Sequence, residues 1–251
     1  LLLATPVYAQ KAKYTRNQDV KVDVKLSDRV KPIQGKPADP KDTKPALTAD
    51  AVLSIEGLVG NIRGEQEQIL ADLIAIPSTS PPGESTAIAA YAAGRLQRAG
   101  LATEIVSRKV GVDNVVASLG QGTPRVVFNA HMDTVGVGER AAWTSDPFTA
   151  ELRDGNVFGL GAGNCKGSMA VQLWLAEELA RRGGPQAGEV TFTFVADEEN
   201  LGPDGMAFLR QAGHVKPDVL ILGAQTENQL IVAERGVLWA RIATFGRAAH
   251  A

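Results

Sequence analysis

The chain has 251 residues, 44% of them apolar, a formal net charge of −2 and a pI near 6.0. That balance carries no footprint of a nucleic-acid binder, which would show as a basic face or a strongly basic domain, and no apolar run approaches the roughly 18 to 20 residues of a membrane-spanning helix. A single cysteine, Cys165, excludes an internal disulfide.

The opening residues, Leu1 to Ala9, read as the end of a secretory signal cleaved before Gln10, so the chain is expected to be exported to the periplasm or beyond the cell. Residues 10–57 begin rich in lysine and are interrupted by Pro32, Pro37, Pro40 and Pro45; with few bulky apolar side chains to offset the entropy of ordering, they are expected to form a disordered linker. From about residue 58 the pattern changes. Ile62, Ile69, Leu70, Leu73 and Ile74 recur at helical spacing and end before Pro77, and a second helix is expected from about Ser85 to Ala99, stopped by Gly100. Strands follow over 103–106, 114–118 and 125–130. A helix over 166–182 ends at Gly183-Gly184-Pro185, and strands over 189–196 and 218–222 flank a helix near 204–212. Strands alternating with helices predict an α/β fold, a mostly parallel sheet flanked by helices.

Ligands in such sheets gather beyond the carboxyl ends of the strands, and chemistry follows three of these runs. The strand over 125–130 runs into His131-Met132-Asp133, that over 189–196 into Asp197-Glu198-Glu199, and that over 218–222 into Gly223-Ala224-Gln225-Thr226, while Gly159 to Asn164 open the helix that starts near Lys166. His131 and Asp133, two apart on an extended segment, face the same side, which suits a carboxylate orienting a metal-bound imidazole. A lone histidine is more often a plain packed or surface residue. Glu198 and Glu199 would face opposite sides if extended, one to hold a metal and the other to take a proton; an acidic loop in solvent is the competing reading. Asn164 has a structural reading as helix N-cap, Cys165 has no histidine near it in sequence, and His214 is expected in an exposed turn.

These motifs resemble a zinc-dependent family that contains acetylornithine deacetylase, succinyl-diaminopimelate desuccinylase, aminoacylase and bacterial glutamate carboxypeptidase. The resemblance covers about residues 58–251 and rests on Phe128 to Val135, on Trp143 with Asp146-Pro147-Phe148, on Gly159 to Gly167 and on Ala196 to Glu199. It implies that residues 58–235 are an incomplete two-zinc exopeptidase-like catalytic domain and that residues 236–251 begin a lid or dimerisation domain. It also implies that His131 ligates a metal supported by Asp133, that Glu198 is the general base, that Glu199 ligates the second metal, and that His250 steadies the developing oxyanion. The implied cofactor is zinc, two ions in intact relatives, with cobalt able to substitute. The implied substrates are small N-acyl amino acids or peptides, and the full-length protein is expected to form a homodimer.

Three departures qualify this. The family's bridging aspartate falls on Asn164, its Glu-Pro-Thr motif on Ala224-Gln225-Thr226, and its last histidine ligand beyond residue 251. The sequence therefore leads to an expectation of weak catalytic zinc binding or none, and to a second hypothesis: a relative that has lost catalysis and keeps the fold for binding or dimerisation. A third is a fragment unable to fold alone.

Overall fold

The computed structural model describes residues 63–81, 83–226 and 229–232. The expected signal remnant, linker and start of a lid, and with them His250, lie outside the described residues. Helix α1 spans Arg63–Ala75 and α2 Thr86–Arg98; strands β1 (Ala102–Lys109), β2 (Val112–Gln121) and β3 (Arg125–His131) follow, then a short hairpin of β4 (Glu151–Arg153) and β5 (Asn156–Phe158). Helix α3 (Lys166–Arg181), β6 (Gly188–Val195), α4 (Met206–Gln211) and β7 (Val219–Leu222) complete the described part. No helix of the described residues is long and apolar enough to cross a membrane.

The main sheet has five strands in the order β1-β2-β6-β3-β7. It is mixed: β6, β3 and β7 run parallel, whereas β1 and β2 form an antiparallel hairpin whose inner strand is antiparallel to β6. The α/β class holds, and the parallel strands are the ones that deliver the polar residues. The hairpin follows from Val110-Gly111, where Gly111 takes φ +81 between two β-rich runs.

Alternation along the strands sorts the core into two faces. Val115, Ala117, Phe192 and Phe194 bury against the faces of α1, α2 and α3, packed with Leu73, Ile88, Leu96, Met169 and Leu173, all fully inaccessible. Val116 and Val195 face the other way, against Leu209 and Val215 around α4. Removing the Leu73 side chain to alanine would cost about 3 kcal/mol, since it leaves a void in the fully buried core.

Polar ties fix the helices to one another. Tyr91 donates to Asp72 at 2.9 Å and receives from Arg95, whose guanidinium meets the Glu177 carboxylate through two bonds of 2.7 and 2.9 Å. Lys166, fully buried at the start of α3, donates from Nζ to the carbonyls of Leu73 and Ile76 at 2.8 and 2.7 Å, joining the Ile76 amide on the Leu73 carbonyl at the end of α1. Burial alone would pull that ammonium down to about 8.

Candidate metal centre

The parallel register brings the chemistry together. His131 ends β3 directly opposite Val195, the last residue of β6, so the turn after β6 rises beside the imidazole. Asn164 arrives from the glycine-rich loop before α3. That approach depends on Gly161, which sits at φ +79 and whose absent Cβ would lie 2.6 Å from the Thr134 methyl.

The result is a compact polar group. Ligand-capable atoms of His131, Glu198 and Glu199 lie within 4.8 Å of one another. His131 Nε2 stands 3.1 Å from Asn164 Oδ1 and 3.6 Å from Glu198 Oε2, and Asn164 Nδ2 donates to Glu199 Oε1 at 3.3 Å. On the other edge of the ring, His131 Nδ1 meets the Asp133 backbone carbonyl at 2.9 Å and Asp133 Oδ1 at 3.5 Å. Asp133 Oδ2 accepts from the Glu199 amide at 3.0 Å, while its Oδ1 is buried without a hydrogen-bond partner among the described residues.

The electrostatics follow from this packing. Burial disfavours the charged imidazole, but the Asp133 side chain, the Glu198 charge and Asn164 outweigh it and hold His131 up at about 9. Asp133 is held below the usual carboxylate range: burial opposes its charge, yet the His131 contact and the amides of Glu199 and Glu198 prevail. Glu199 is pushed up by burial, with the neighbouring carboxylates adding to the effect. Glu198 stays half exposed and Glu199 partly covered, so one carboxylate faces arriving solvent and the other the protein.

Sequence and structure differ at three points. Asn164 does not cap α3: Cys165 holds the N-cap position without a side-chain cap bond, and the Asn164 amide turns into the polar group instead. Glu198 and Glu199 lie on a tight turn, with Asp197 at φ +65, rather than on an extended run. His214 is not a free surface residue, since it packs edge-on against Phe208 and pairs with Glu104 at 3.2 Å. Cys165 is buried, its thiol pushed up by that burial and donating to the Gly223 carbonyl, so it is a packed thiol that ties the end of β7, and with it Ala224, to the start of α3.

Asn114 and Asn200 escaped the sequence reading. Asn200 donates to Ser80, 120 residues away, and Asn114 to the Asp204 carbonyl, 90 residues away, and the local signal was a polar Asn114 beside Asp113 at the head of the apolar Val115-Val116-Ala117.

Against the expectation of weak zinc binding or none, the donor set suits one divalent cation: an imidazole oriented from behind by Asp133, the Glu199 carboxylate and the Asn164 side-chain oxygen supply three protein ligands of a zinc site, with Glu198 beside them. The unpartnered Asp133 Oδ1 fits a role that strengthens when His131 gains a cation. A narrow cleft of about 290 Å³ adjoins the group, lined by Ser80, Lys109, Asp133, Asp197 and Asn200. A larger, more open hollow of about 490 Å³, lined by Arg95, Arg98, Glu177 and Arg181, opens at the far end of α3 and holds none of these groups.

Comparison with known proteins points the same way. A family model described as Peptidase family M20/M25/M40 matches residues 127–241. The succinyl-diaminopimelate desuccinylase of Xanthomonas oryzae pv. oryzae is 40% identical over 138 residues, 55% of this chain and 36% of that protein. The enzyme of the same name from Bordetella parapertussis is 34% identical over 191 residues, 72% of this chain and 49% of that protein. The chain thus spans about half, or less, of the length of these relatives. Among solved structures, human carnosine dipeptidase 1 superposes with a TM-score of 0.57 at 19% identity, covering 69% of this chain and 41% of that one. An M20 family metallo-carboxypeptidase from Sulfolobus solfataricus superposes at 0.55 with 20% identity, covering 63% and 37%. At these identities the structures speak for the fold.

Proposed function

The chain belongs to peptidase family M20/M25/M40, whose members are zinc-dependent hydrolases, and on that premise we propose that it is the catalytic portion of an amidohydrolase acting on N-acyl amino acids or small peptides. The observation that carries this reading is the convergence of His131, Glu198 and Glu199 within 4.8 Å at the ends of two parallel strands.

In the proposed arrangement His131 Nε2, Glu199 and the Asn164 carbonyl oxygen would hold zinc. Zinc bound there would polarise the scissile carbonyl and acidify the attacking water. Asp133 fixes the imidazole by its backbone carbonyl at Nδ1, which presents Nε2 to the site. Glu198 is the group placed to accept the proton of the attacking water, because its carboxylate is half exposed, close to His131 and not hydrogen-bonded to Asn164. The cleft beside Asp133 offers Lys109 as a cation for a substrate carboxylate.

The names of the two desuccinylases support an N-succinyl amino acid as the first substrate to try. Incubating the zinc-loaded protein with N-succinyl and N-acetyl amino acids and with dipeptides, and measuring the liberated amine, tests the reading. Release that Glu198→Gln abolishes supports it, and no release from any member of the panel by a folded, zinc-containing protein defeats it. Export stays part of the proposal on the strength of Leu1 to Ala9, with fractionation of the producing cells as its test. Dimerisation of the full-length protein is likewise proposed, to be tested by sedimentation.

A further inference from the structure

The two glutamates of the site sit on a turn rather than on a strand or helix, and a residue remote from them holds that turn. The β2–β6 ladder ends at Val115 opposite Phe194. One step further, the Asn114 side chain takes over from the backbone: its Oδ1 accepts from the Ala196 amide at 3.0 Å, and its Nδ2 donates to the Asp204 carbonyl at 2.9 Å and the Val106 carbonyl at 3.3 Å. Asn114 is wholly inaccessible to solvent. Its partners on the turn lie 82 and 90 residues away in sequence, one at each end of the segment that carries Glu198 and Glu199.

The turn between those ends is closed on itself. The Asp197 carboxylate accepts from the Asp204 amide at 3.1 Å, and the Asp197 carbonyl from the Gly202 amide at 2.9 Å. A Cβ on Gly205 would fall 2.1 Å from the Ala196 carbonyl oxygen, so the two ends touch backbone to backbone. These contacts hold the two ends of the turn together. The turn is tied at the site by Asp133, through the Glu199 amide, and by Ser80, which accepts from Asn200; behind the site it is tied by Arg108, paired with Asp204, and by the buried Asn114, which alone among these reaches both ends.

We infer that Asn114 is a positioning residue: by clamping Ala196 and Asp204 it sets where the Glu198 and Glu199 carboxylates stand relative to His131. The inference rests on the hydrolase reading of those glutamates. No aliphatic residue can replace the amide, because Leu at 114 would leave the buried Ala196 N–H and the partly buried Asp204 carbonyl without this partner. Asp would set a carboxylate oxygen against two carbonyls where an NH₂ now donates.

Cobalt(II) titration of the full chain, followed by visible absorption, separates positioning from folding. Asn114→Leu and Asn114→Asp are expected to melt cooperatively, yet to bind cobalt at least about 10-fold more weakly, the usual penalty for losing an outer support of a metal ligand, and with altered bands. Folded variants with the wild-type affinity and spectrum would overturn the inference. Amide hydrogen exchange on the unaltered protein decides the matter if the variants do not fold or if the wild type takes up no cobalt: the Ala196 and Glu199 amides are expected to open together at one rate. A Glu199 amide that exchanges more than about 100-fold faster than that of Ala196 would overturn the clamp. Failure of the hydrolase reading, by contrast, would show as a wild type without cobalt binding and an exchange pattern that is unchanged.

Discussion

His131 Nε2 and Asn164 Oδ1 stand 3.1 Å apart, and the same Asn164 amide donates onward to Glu199 at 3.3 Å. A neutral amide thus links the imidazole to the carboxylate, donating at one end and accepting at the other. A carboxylate at position 164 could accept from His131 but would meet Glu199 as a like charge, and would need a cation between them. Asn164 therefore lets the site close without metal and lowers the charge with which it draws one in.

Asn164→Asp is accordingly expected to lower the melting temperature of the metal-free protein and to raise zinc affinity at least about 10-fold, so that zinc restores more stability than it does in the wild type. Calorimetry with scanning fluorimetry measures both. Equal zinc affinities would show that charge at this position does not limit binding.

Glu198→Gln keeps the shape of the half-exposed side chain and removes its basicity. Hydrolysis is expected to fall by roughly 10²- to 10⁴-fold, the span of a lost general base, while zinc content stays near the wild-type value. Loss of both together would make Glu198 a ligand first.

Lys166→Met deletes the buried ammonium that satisfies the Leu73 and Ile76 carbonyls. The Ile76 carbonyl loses its partner and the Leu73 carbonyl keeps only the Ile76 amide; this outweighs the relief of desolvating a charge, and the expected loss is about 2 kcal/mol in urea unfolding. A variant as stable as the wild type would mean that water reaches those carbonyls.

The Arg95–Glu177 pair, largely covered and bidentate, ties α2 to α3. Glu177→Gln is expected to cost about 1 kcal/mol, with the loss reduced at high salt. An effect that ignores salt would assign it to packing instead.

Much of the site was legible in the sequence because it follows strand ends. His131 and Asp133 come straight after one apolar run, and Glu198 and Glu199 after another, and a parallel register needs only to align the two runs. The α/β layering was legible for the same reason, in the spacing of Leu73, Leu96 and Leu173 against the strands. What escaped was decided over distance. The N-cap reading of Asn164 weighed only the helix that begins beside it, whereas His131 and Glu199, far off in sequence, offer its amide both an acceptor and a donor role. The turn at Asp197 and the clamp at Asn114 depend on backbone conformation and on partners that no local pattern announces. The antiparallel placement of β1 and β2 depends on the hairpin at Gly111, a sign visible in the sequence but silent about which strand β2 would meet next.

The most direct test of the account is zinc titration by calorimetry on the full chain beside His131→Ala. Stoichiometric binding by the wild type that the substitution abolishes, with the fold retained, is the predicted result. A wild type that takes up no zinc, or a variant that binds it equally well, would contradict the account at its centre.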